Sequence, residues 1–246
     1  MRQLLVVALF ATLMPSSASA QWPPERTRNL KVIPSDIPIR ALIDTMAAFT
    51  RALGVRCTYC HVGREQDPIE SYDFAADDKA PKVKARAMLR MVQAINNEHL
   101  TTLADRRDPR MVVTCATCHH GVAEPRPLQQ LLLTAYDAAG ADSAEAAYRS
   151  LRTRYYGRAA YDFGEVPLAD MGTALRRRGR LADAVRFYVL NTEFVPASGF
   201  AHRQAAEGHL AVADTASAIA SLQRALAINP NDPQAKPRLE GLRPKK

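Results

Sequence analysis

Cysteine is scarce in this chain, four residues in 246, and so are glycine, with eleven, and tryptophan, with one. Runs of β-branched residues are few. With so little to build strands and hairpins, and with alanine, leucine and arginine dominant, the sequence predicts an all-α protein. No cysteine is left for a disulfide framework once two short motifs have claimed all four. The apolar run from Leu4 to Met14 makes a helix of about 16 Å, roughly half of a hydrocarbon core, so it is too short to span a membrane. With Arg2 before it and Ala18-Ser19-Ala20 after it, the run reads as a signal peptide, residues 1–20. The mature chain is then expected to start near Gln21, in the periplasm and with no transmembrane segment after cleavage. The residue directly after the cleavage site is Gln21, not a cysteine that could carry a lipid.

The four cysteines fall in Cys57-Thr58-Tyr59-Cys60-His61 and Cys115-Ala116-Thr117-Cys118-His119. Two C-x-x-C-H units point to two covalently bound haem c groups. Cys57, Cys60, Cys115 and Cys118 would form thioethers with the porphyrin vinyl groups, and His61 and His119 would reach the irons. A thiol redox pair would need a thioredoxin-like βαβ context, and a zinc site would use the same residues as tetrahedral ligands. Export suits haem attachment, because thiols and haem must meet outside the cytoplasm. The net charge of +8 would ordinarily suggest an anionic partner. Four haem propionates offset about half of it, and an exported chain does not meet nucleic acid. Arg176-Arg177-Arg178-Gly179-Arg180 reads as a solvated helix end.

A helix is expected from Ser35 as N-cap, with Pro38 in its first turn, through Leu42, Met46, Phe49 and Leu53 to a stop at Gly54. Met46 lies on its apolar face, eleven residues before Cys57. The Gly54 turn can fold it over the iron face opposite His61, making it a candidate axial ligand; otherwise it fills core. Residues 62–80 read as a polar loop. A second helix, from near Pro81, carries Met88, Met91, Val92 and Ile95 on one face. Met91 is the candidate sixth ligand of the second haem, Met88 its alternative and His99 third, unless both methionines are core.

These residues resemble a known family. Asn29-Leu30-Lys31-Val32, Leu53-Gly54-Val55 before the first motif, Lys84-Ala85-Arg86 with Met88 and Met91, and Ile95-Asn96 before the second motif are similar to the cytochrome subunit of photosynthetic reaction centres. The likeness spans roughly residues 25–125 and matches one di-haem half of that tetrahaem subunit. It implies that each haem follows a helix, that methionine is the usual sixth ligand, and that the haems relay electrons. In that family one haem takes a histidine from elsewhere in the subunit, so the second haem's ligand stays open. With two haems rather than four, a photosynthetic role does not follow.

After Pro125 and Pro127 the composition changes. Residues 128–156 suggest two helices around Gly140. From Leu168 a 34-residue period brings Gly172, Ala184, Tyr188 and Pro196 back as Ala206, Ala218, Leu222 and Pro230. This resembles tetratricopeptide repeats, capped by the preceding helices and by one after Asp232-Pro233. His202 and His209 read as surface or packing residues. The expected organisation is a signal peptide (1–20), a di-haem cytochrome c domain (21–127) and a helical repeat domain (128–246). The expected function is electron transfer with a redox protein partner that docks through the repeats. The alternatives are a peroxidase-type haem enzyme with one open coordination site, or a repeat scaffold with accessory haems.

Overall fold

The computed structural model describes residues 22–24, 26–104 and 110–242, so the expected signal peptide lies outside the described residues. Among them the regular structure is all helical, and the one extended pairing is an isolated bridge between Val62 and Asp73. None of the described helices is long and apolar enough to cross a membrane. The chain divides into two compact units, one running to Cys115 and the other from Ala116.

In the first unit, α1 spans Ile39–Leu53. Its cap is Pro38 rather than Ser35: Pro38 is extended, at φ −56° and ψ 137°, and no side chain caps the helix. Proline has no N–H to leave orphaned at a helix start, so the serine is not needed there. Gly54 ends α1 in the left-handed conformation, at φ 64° and ψ 33°. The Gly54 N–H donates to the Arg51 carbonyl at 3.3 Å and the Val55 N–H to the Thr50 carbonyl at 3.1 Å. This paired closure reverses the chain, and any residue with a Cβ would be strained at that position. The next turn carries the first motif. A loop follows, pinned where the Asp73 N–H donates to the Val62 carbonyl at 2.9 Å and where the Asp73 carboxylate accepts the Ala75 and Ala76 N–H groups, each at 2.9 Å. Helix α2 spans Ala80–Ala94, with Pro81 in its first turn, and runs on into a π-helical turn, Ile95–His99. The short α3, Cys115–His119, carries the second motif and falls where the first unit gives way to the second along the chain.

The second unit is a series of helical hairpins. Helix α4 spans Leu128–Tyr155 and breaks at Gly140, where φ is 79° and ψ −168°, giving the two helices expected around that glycine. There follow α5 (Glu165–Arg177), α6 (Leu181–Phe194), α7 (Gly199–Ala211), α8 (Thr215–Ile228) and α9 (Ala235–Leu242). The 34-residue period maps onto the pairs α5–α6 and α7–α8, a tetratricopeptide-like arrangement. Ala184 and Tyr188 are buried, and so are their counterparts Ala218 and Leu222. The Tyr188 ring explains two glycines: a Cβ on Gly172 or Gly208 would lie 2.6 or 2.7 Å from it. Leu132 of α4 joins Leu168, Leu175 and Phe187 in one apolar cluster, while Leu239 of α9 closes a second against Ala218 and Leu222. Each large side chain so buried is worth about 1.5–3 kcal/mol. Histidines 202 and 209 do structural work, His202 against the Pro196 carbonyl at 3.1 Å and His209 against Asp214 at 3.3 Å.

The first unit is built differently. Ala52 is its one fully buried apolar side chain among the described residues. The apolar face of α1 faces a cavity instead.

Candidate functional site

That cavity measures about 420 Å³ and lies entirely within the first unit, in the size range of cofactor sites. From α1 it takes Leu42, Met46, Phe49 and Leu53, the stripe expected at helical spacing, and from the motif it takes Cys57, Cys60 and His61. The motif is one tight turn: the Cys60 and His61 N–H groups both donate to the Cys57 carbonyl, at 3.2 and 2.9 Å. Positions i, i+3 and i+4 of such a turn share a face, so both thiols and the imidazole point the same way.

The titratable groups follow from burial. Desolvation pushes the Cys60 thiol up, partly offset by Lys79. Desolvation and then Lys82 hold the His61 imidazole below its usual range, opposed by the Phe74 main chain. A neutral imidazole is the form that binds a metal. The Nδ1 of His61 is buried and has no hydrogen-bond partner of normal geometry, the Phe74 main chain being close enough only to oppose the shift.

Six basic residues line the same cavity, Arg26, Arg28, Lys31, Arg56, Lys82 and Arg86, against one acid, Glu70. Apolar walls with a cationic rim fit a flat apolar molecule that carries carboxylates, which describes a porphyrin with its propionates. The residues present therefore fit haem: thiols for attachment, an imidazole and a thioether as axial donors, and cations for the propionates. Among the described residues, no group of three or more His, Cys, Asp and Glu side chains is arranged to hold a metal ion.

The second motif is more open. Cys115 is half-buried and Cys118 exposed. The carbonyl of Val122 sits 2.9 Å from His119 Nδ1. A carbonyl only accepts, so Nδ1 carries the proton and Nε2 presents its lone pair. Upstream, Asn96 in the π-helical turn holds the approach to the motif, its Nδ2 donating to the Val113 carbonyl at 2.8 Å and its Oδ1 accepting the Val113 N–H at 2.9 Å. The methionines of α2 are not core: Met88 and Met91 are 42% and 47% exposed. They lie on the side of α2 away from Lys82, Ala85, Arg86 and Leu89, which face the first cavity. His99 is exposed as well. Of the residues missed, Arg86 and Asn96 stood inside the family-like pattern; Val122 left no signal in the sequence.

Residues 41–134 match the family model of the photosynthetic reaction centre cytochrome c subunit. The haem-motif half of the chain is similar to that subunit. Over 69 residues the chain is 39% identical to cytochrome c-554 of Chloroflexus aurantiacus, covering 28% of this chain and 14% of that protein. Over 101 residues it is 31% identical to the reaction centre cytochrome c subunit of Thermochromatium tepidum, covering 40% of this chain and 22% of that one. The chain thus spans less than a quarter of the length of either relative. Among solved structures, PcrH from Pseudomonas aeruginosa is 20% identical with a TM-score of 0.32, covering 47% of this chain and 88% of PcrH. MamA is 19% identical with the same TM-score, covering 47% of this chain and 62% of MamA. The likeness to c-type cytochromes implies covalently bound haem c.

Proposed function

We propose that this chain is an exported di-haem c-type cytochrome that transfers electrons, with its helical repeats as the docking region for a redox protein partner. The observation that carries the reading is the first cavity, where two attachment thiols, a neutral imidazole, a thioether, apolar walls and a cationic rim share one site. Haem, when bound, supplies the one-electron chemistry. The chain fixes the coordination. Met46 and His61 would be the two side-chain donors that hold the first haem's iron, which would leave it no open position for a substrate. At the second motif Cys115 and Cys118 would attach the group and His119 would offer Nε2. Met91 is the proposed sixth ligand, with Met88 one turn earlier as the alternative. The group so held would supply one-electron exchange, whereas a peroxidase needs one open position.

The test is coordination of the matured protein. Both haems should be low-spin when oxidised and when reduced, carbon monoxide should bind neither, and a small soluble cytochrome should exchange electrons with the protein. High-spin iron with rapid carbon monoxide binding and peroxide turnover would favour the enzyme instead. Deleting residues 128–246 should leave the spectra unchanged and weaken partner association; undiminished association would remove the docking role.

A further inference from the structure

Residues 26–33 have no regular secondary structure, yet all of them line the first cavity. One carboxylate holds them there. Asp77 accepts from Asn29 at 2.9 Å and Lys31 at 2.8 Å on this segment, and from Lys82 at 3.2 Å and Arg86 at 2.8 Å on α2. Asn29 also donates to the Ala75 carbonyl, and its own carbonyl accepts from Arg86 at 3.1 Å. Asn29 sits at a φ of 62°, a left-handed conformation that asparagine tolerates better than most residues. The hydrogen bonds from Arg86, Lys31 and Asn29 hold the Asp77 carboxyl far below the ordinary carboxylate range.

These bonds also sort the cavity's cations. Lys82 spends its ammonium on the Phe74, Ala75 and Ala76 carbonyls, at 3.0, 2.8 and 2.6 Å. Lys31 and Arg86 are committed to Asp77, and Arg56 pairs with Glu65 at 3.5 Å. Arg26 and Arg28 have no ion pair among the described residues. Just before the segment, the Trp22 ring lies 5.0 Å from Phe74, which lies 5.0 Å edge-on from His61.

We propose that residues 26–33 are a strap latched over the first haem by Asp77, and that Arg26 and Arg28 receive that haem's propionates. The proposal rests on the haem reading above and adds to it the residues that seat the group. Guanidinium groups suit this role because their paired N–H donors match a carboxylate.

Trp22 is the only tryptophan in the chain, so its fluorescence reports how close the strap lies to a quenching haem. In the matured full-length protein the emission should be strongly quenched. Asp77→Ala should raise it several-fold, and Asp77→Glu should restore the quenching. Should Asp77→Ala fail to accumulate, Lys31→Met removes one arm of the latch and must still raise the emission. The double variant Arg26→Gln/Arg28→Gln should keep the quenching but shift one haem's redox equilibrium about tenfold toward the ferric form, a fall of about 59 mV for one electron. The other haem should not move. Matured protein with two haems whose emission ignores Asp77, or whose two potentials ignore the arginines, overturns the strap and leaves the functional reading standing. Wild-type protein without covalent haem overturns the functional reading itself.

Discussion

Replacing Asn96 by alanine tests how the second motif is positioned. The side chain is half-buried and makes two bonds to the main chain of Val113, at 2.8 and 2.9 Å, across seventeen residues of sequence. It substitutes for the ladder that a strand would provide and fixes the chain two residues before Cys115. A neutral hydrogen bond of this kind contributes about 1 kcal/mol net, so losing both costs about 2 kcal/mol. By the rule of tenfold per 1.4 kcal/mol, local opening of this segment becomes about 30-fold more frequent. The assay is amide hydrogen exchange at Val113, which should accelerate by that factor in Asn96→Ala while the amides of α5 to α8 keep their rates. Asn96→Asp should fall between wild type and Asn96→Ala, because a carboxylate still accepts from the Val113 N–H but faces its carbonyl with no proton to give. A Val113 amide within twofold of the wild-type rate in Asn96→Ala would refute the clamp.

Three further outcomes are expected. Met46→Ala should make one haem high-spin or lower its potential, since methionine with histidine raises it; an unchanged spectrum would return Met46 to packing, and the same substitution at Met91 and Met88 decides between those two. In acid, the first unit should lose stability through Asp77: its folded pKa is depressed, so its contribution is full above the unfolded value of about 3.9 and declines as pH falls below it. Acid titration of Asp77→Asn should show a weaker pH dependence in that range; an identical curve would contradict the network. Gly172→Leu should destabilise the repeats, because a Cβ there lies 2.6 Å from the Tyr188 ring and overpacking costs about 1–3 kcal/mol; a thermal midpoint equal to wild type would show that the ring moves aside freely.

What the sequence made legible is local or periodic. The Gly54 stop, the haem-motif turns, the break at Gly140 and the 34-residue repeat each follow from a residue's own conformational limits or from a recurring apolar stripe. Pro38 rather than Ser35 caps α1 because proline removes the need for a capping side chain, a choice between neighbours that composition does not decide. The latch at Asp77 was not legible. Its donors Asn29 and Arg86 lie far from it along the chain or on another element, and charge pairing across a loop leaves no period to read. Residues 62–80 therefore looked like an ordinary polar loop, although Phe74 and Asp77 from it help to build the first site. The Val122 carbonyl behind His119 is a main-chain group and has no sequence signature at all.

The number of haems covalently held by the chain is the most direct measure of its function. Expressed full-length in a host that matures and exports c-type cytochromes, the purified protein should show by intact mass two porphyrins covalently attached per chain, and by pyridine haemochrome two haem c. Cys60→Ser should lose one of the two. A mass equal to the bare polypeptide, or bound zinc in place of porphyrin, would contradict haem attachment and with it the cytochrome function.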